Sequence, residues 1–91
     1  MEFEWDERKA GENLAKHGVS FEEASTVFGD PLATTVDDPD HSDDEERELT
    51  TGISAQGRVL IVWHTERGKA IRIIGARRVT ATEQRVYESG E

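Results

Sequence analysis

Apolar residues in this chain fall in short blocks, and the repeat within each block indicates an element type. Phe3-Glu4-Trp5 alternates and reads as a short strand. Asp6 then offers a carboxylate to the free amides of a following turn. From Glu7 the apolar side of a helix runs through Ala10, Leu14 and His17, and Gly18 supplies a left-handed stop. Ser20-Phe21-Glu22-Glu23 has the spacing of a capping box, with Val19 placed to staple against Ala24. Phe21, Ala24, Val27 and Phe28 form the stripe of a second helix that Gly29-Asp30-Pro31 ends.

Beyond that point the period changes to two. Leu32 to Val36 reads as a strand, and Asp37 to Glu46 as an acidic loop. Arg47 to Ser54 alternates Leu49, Thr51 and Ile53 with Glu48, Thr50 and Gly52, and Ala55-Gln56-Gly57 is a hairpin turn. Val59 to Thr65 is apolar and β-branched enough for a central strand. A turn at Glu66 to Lys69 leads to a strand from Ala70 to Arg77. Thr80-Ala81-Thr82-Glu83 opens a C-terminal helix to about Glu88. Strands joined by tight turns, with helices before and after, predict one α+β domain over residues 1–91: an antiparallel meander with helices packed on it.

Composition narrows the function. The chain has 91 residues, no cysteine and a formal charge of −9. Thiolate chemistry and sulfur-based metal sites are excluded. The longest apolar run, Val59 to Trp63, is far short of a membrane span, and the acidic N-terminus lacks the pattern of a secretory signal, so a cytoplasmic protein is expected. Charge is uneven: residues 1–57 carry a net −12 and residues 58–91 a net +3. The body therefore repels polyanions while its C-terminal third does not.

Within that third, Arg72 lies in a strand and Arg77-Arg78 close it; Arg47 opens a neighbouring strand. Guanidinium forks match phosphate oxygens in geometry and stay charged at any working pH. The same groups can instead pair with Glu45, Glu46, Glu48 and Glu83, and the residues alone leave both readings open. His17, His41 and His64 lack metal-ligand spacing, and His17 suits a helix C-terminus. The acidic loop begins like a calcium loop but places Asp43 where glycine is needed and Leu49 where the bidentate glutamate belongs, which favours a solvated loop. An ion-binding regulator remains a minor alternative.

Several stretches together resemble the BrnT family of type II toxins: Phe3-Glu4-Trp5-Asp6, Lys9, Asn13, Lys16-His17-Gly18-Val19-Ser20-Phe21-Glu22-Glu23-Ala24, Val27 to Pro31, Glu46-Arg47, Gly52, Val62 to Gly68, Ile71 to Arg77, and Glu83 with Tyr87. The resemblance implies a RelE-like fold and a ribonuclease that arrests translation. It implies neutralisation by a ribbon–helix–helix antitoxin, in complexes of two toxins and two antitoxins that reach operator DNA only through the antitoxin. No cofactor and no metal is expected. Cleavage would then use the ribose 2′-OH as nucleophile, with Arg47 and Arg77 stabilising charge at phosphorus, His64 as base or acid and Glu83 as its reserve. Arg72, Arg78 and His41 would contact RNA. The alternative is a non-catalytic module that binds a partner protein and acts only in operon autoregulation.

Overall fold

The computed structural model describes residues 1–38 and 46–89. Nine elements follow in order: β1 (Glu2–Glu4), α1 (Glu7–His17), α2 (Phe21–Thr26), a 3₁₀ turn (Val27–Gly29), β2 (Thr34–Asp37), β3 (Glu48–Ile53), β4 (Val59–Arg67), β5 (Ala70–Arg78) and α3 (Ala81–Ser89). The α+β expectation holds. β2 to β5 form the antiparallel meander, and β1 adds to β5 as a parallel edge, giving the order β1-β5-β4-β3-β2. The sheet is thus mixed, and the central position of β4 follows from its apolar sequence. His41 and most of the acidic loop lie outside the described residues.

Local chemistry sets the helix ends. Asp6 accepts from the amides of Arg8 and Lys9 at 2.8 and 3.1 Å, and Gly18 closes α1 with φ 69°. Ser20 Oγ accepts from the Glu23 amide at 3.0 Å. The Glu23 carboxylate does not complete that box. It turns inward to Ser54 Oγ and to Arg58, which also donates to the Gly18 carbonyl.

Val19, Phe21, Ala24 and Val27 pack with Leu60, Val62, Ile73 and Ala76 as the core. Each of the larger side chains contributes about 1.5–3 kcal/mol by burial, so α2 is held by its apolar stripe more than by its six-residue length. α1 behaves differently. It buries no residue, and Leu14 is half exposed. Asn13 anchors it instead: its amide donates to the Ala76 and Val19 carbonyls at 2.9 Å and accepts from the Ala76 amide at 3.1 Å. A single side chain thereby mimics a pairing strand where β1 has already ended.

Strand β3 turns the face that the apolar alternation least suggests toward the helices. Thr50 and Gly52 are buried, whereas Ile53 is 40% exposed. The reason is space. A Cβ on Gly52 would stand 2.9–3.0 Å from Ala33 Cβ, Asp30 Oδ2 and Val27 Cγ1, so only glycine lets the 3₁₀ turn approach the sheet. Among the described residues no helix is long and apolar enough to cross a membrane.

Candidate functional site

Antiparallel register places Ile61 opposite Arg77 and Trp63 opposite Gly75. Because side chains alternate, these residues occupy the sheet face opposite the one that Leu60 and Val62 present to α2. α3 borders this open face. The Arg77 guanidinium lies 5.5 Å from the Trp63 ring centroid, within cation–π range. Its two terminal nitrogens donate to the two Glu83 carboxylate oxygens at 3.0 and 3.1 Å, and one also donates to the Arg78 carbonyl at 3.0 Å.

Glu83 is placed by the start of α3. Its carboxylate accepts from the Thr80 amide at 2.8 Å while Thr80 Oγ1 accepts from the Glu83 amide at 3.2 Å, the complete capping box expected from the sequence. The Arg77 fork, then the Thr80 amide, hold the Glu83 carboxyl down at about 2, and Glu83 raises Arg77 in turn. A planar fork is thus fixed from three sides around a bidentate oxyanion, the geometry that a phosphate also satisfies.

This ion pair has a pH signature. A carboxyl depressed in the folded state contributes stability above its unfolded value and loses it as pH falls through the folded one. The Glu83 contribution is therefore present above about pH 4.5 and is lost toward about pH 2. Melting curves recorded across that window should fall more steeply for the parent than for Glu83→Gln. Parallel slopes would show that the pair is not formed in solution.

His64 lies apart from this pair. His64 faces α2 and the 3₁₀ turn, on the side of the sheet away from Arg77. It is 3% exposed, its Nε2 bonds Thr50 Oγ1 at 2.7 Å, and its ring meets Phe28 edge-on at 4.9 Å. Its Nδ1 has no hydrogen-bond partner among the described residues and stands 4.0 Å from Glu48. Burial lowers the His64 pKa, which keeps the ring neutral near pH 7. That side of the sheet is also anionic: burial, Glu66, Asp37 and Glu46 all push Glu48 up.

Arg72 pairs with Glu4 at 3.0 Å, and Arg78 is exposed on the side of Glu23. Arg47 stands half-buried before β3, where its carbonyl accepts from the Asp38 amide at 2.9 Å. Of the two readings left open for the arginines, ion pairing applies to Arg77 with Glu83 and to Arg72 with Glu4.

Three residues have roles that the sequence reading did not assign. Trp63 flanks Arg77; Arg58 neutralises the buried Glu23; and Tyr87 donates to Asp30, tying α3 to the turn before β2. Alternation from Arg77 through its cross-strand neighbours could have found Trp63. Nothing local pairs positions as distant as 30 and 87.

Similarity to known proteins agrees with this architecture. A crystal structure of the Brucella abortus ribonuclease toxin BrnT superposes with a TM-score of 0.65 at 24% identity, over 88% of this chain and 97% of that one, a likeness of fold. No curated protein matches the chain. Residues 5–83 match the family described as the ribonuclease toxin, BrnT, of type II toxin–antitoxin systems. That match takes in both helices of the N-terminal half, the whole meander, Arg77 and Glu83, and the chain belongs to the BrnT family.

Proposed function

We propose that this chain is a metal-independent endoribonuclease that cleaves RNA through the ribose 2′-OH, with Arg77 and Glu83 as its reacting pair. The observation that supports this most is the Arg77 fork, already closed around a bidentate oxyanion and stacked on Trp63. A scissile phosphate takes the place of the Glu83 carboxylate on that fork. Relieved of the cation, Glu83 moves back toward the ordinary carboxylate range and accepts the 2′-OH proton. The 2′ oxygen bonds phosphorus, the bond to the 5′ oxygen breaks, and a proton from solvent completes the 5′-hydroxyl. The other product is a 2′,3′-cyclic phosphate. Arg77, and Arg47 as a second cation, stabilise the charge gathered on the phosphoryl oxygens. Arg72, Arg78 and His41 would contact RNA outside the reacting pair, Arg78 from the Glu23 side of the sheet.

His64 was the better base by intrinsic pKa. Its burial on the anionic side of the sheet moves the proton-transfer role to Glu83 in this proposal. A protein antitoxin of ribbon–helix–helix type, two per two toxins, would neutralise the enzyme and carry the complex to operator DNA. The net charge of −9 favours a second reading, a non-catalytic partner-binding module.

The test uses an RNA oligonucleotide in EDTA, beside the same oligonucleotide with one 2′-deoxy nucleotide at the cleaved step. Cleavage of the first to a cyclic phosphate end, with the second left intact, is expected. Cleavage of both, or loss of activity in EDTA, contradicts the mechanism. No cleavage of either by purified chain, with no growth arrest on expression, selects the module.

A further inference from the structure

RNA meets a body that repels it. The chain carries −9, and two of its arginines are already engaged, Arg77 with Glu83 and Arg72 with Glu4. A phosphate that displaces Glu83 exchanges one oxyanion for another on the same fork, which leaves little net gain. The surrounding field also opposes the approach. Phosphate neutralisation, the usual source of affinity for a nucleic acid, is correspondingly weak here. The uncharged part of the nucleotide has to make up the difference.

Trp63 is placed to meet that part. It stands half-buried on the open face, with the Arg77 guanidinium 5.5 Å from its ring centroid. Its cross-strand neighbours are Leu49 on β3 and Gly75 on β5, so β5 sets no side chain directly opposite the ring. The other tryptophan, Trp5, packs against the core and meets Phe21 edge-on at 6.0 Å. Trp63 has no part in that core. A large aromatic ring outside the core, beside a fork shaped for phosphate, has the arrangement of a platform for a base. A nucleobase is joined to its phosphate through one sugar, so a phosphate on Arg77 brings the neighbouring base to the indole.

We propose that Trp63 is the stacking platform for the nucleobase beside the scissile phosphate, and that it favours purines, whose larger ring system overlaps the indole more fully. Arg77 then holds the phosphate and Trp63 the base. The contact carries no charge, so the acidity of the body does not weaken it. The inference rests on the RNA-cleaving reading above and deepens it.

The test is a double-mutant cycle on binding, read as affinity of the purified chain for an RNA oligonucleotide whose 2′-deoxy step prevents cleavage. Trp63→Leu should weaken binding about tenfold or more, within the range for one stacked base, and Trp63→Phe should recover part of the loss. An abasic nucleotide beside the protected step should cost the parent as much. It should cost Trp63→Leu little further, because both changes remove one contact. Adenine in that place should outbind uracil in the parent and not in Trp63→Leu. Fluorescence of Trp63, read alone in a Trp5→Phe background, should be quenched by the intact oligonucleotide and not by the abasic one. That measurement keeps the ring in place and does not depend on how Trp63→Leu folds.

A ring with a merely structural role would give additive losses in the cycle, which overturns the proposal. So does an adenine preference that Trp63→Leu keeps in full, or quenching that abasic RNA reproduces. Fluorescence that responds to the antitoxin and not to RNA also overturns it, and assigns the ring to the partner protein. Cleavage of the unmodified oligonucleotide by the same samples separates this inference from the reading it rests on. A chain that couples Trp63 to the base yet cleaves nothing keeps the platform and loses the nuclease. A chain that cleaves, with additive losses, keeps the nuclease and loses the platform.

Discussion

Arg77→Ala should remove growth arrest and lower RNA cleavage by about a hundredfold to a thousandfold, the range for deleting one fixed donor aimed at developing charge. The loss is expected because Arg77 is positioned before substrate arrives. Trp63 and the Arg78 carbonyl hold the guanidinium, and its fork is already shaped around two oxygens. Arg77→Lys should recover little, since an ammonium cannot present two parallel N–H bonds. His64→Gln is the contrast: the amide can keep the bond to Thr50, and activity should fall far less. Antitoxin affinity should survive Arg77→Ala. A variant as toxic as the parent would remove Arg77 from the mechanism.

Arg58→Ala should destabilise the fold by about 3–5 kcal/mol, the cost of leaving a buried charge uncompensated. The Glu23 side chain is only 2% exposed and receives two guanidinium hydrogen bonds from Arg58. Arg58 also closes the α1–α2 junction through the Gly18 carbonyl. Its loss would strand the carboxylate and loosen both helices on the sheet. Urea unfolding measures the effect. The double substitution Glu23→Leu with Arg58→Met should recover most of the loss, since it removes both charges together. A single variant within about 0.5 kcal/mol of the parent, the range of an ordinary surface change, would show the pair to be peripheral.

What the sequence disclosed was chiefly local. Ser20 and Thr80 cap their helices because cap and partner sit three positions apart. The stripe Phe21-Ala24-Val27 packs where its period says it should. β4 was expected to be central because it is apolar, yet the same property hid which face His64 would take. A strand apolar on both sides gives alternation no phase, and the irregularity between Trp63 and His64 displaces the register as well. The face of β3 was settled by a missing side chain, Gly52, rather than by apolar ones. Asn13 bridging to Ala76, and Tyr87 to Asp30, are contacts across most of the chain with no local trace. The Arg77–Glu83 pair stood among the possible ion pairs. Its partner Trp63 emerged only once the strands were in register.

In the proposed reaction, RNA phosphate displaces Glu83 from Arg77. Carbon-13 titration of the Glu83 carboxyl reads this directly, with and without a saturating RNA oligonucleotide whose 2′-deoxy step prevents cleavage. The free protein should titrate near its depressed value of about 2. With RNA bound, the midpoint should rise toward the ordinary carboxylate range as the guanidinium is given up. A midpoint that stays low under saturating RNA would show the pair intact, and would place any cleavage elsewhere on the molecule.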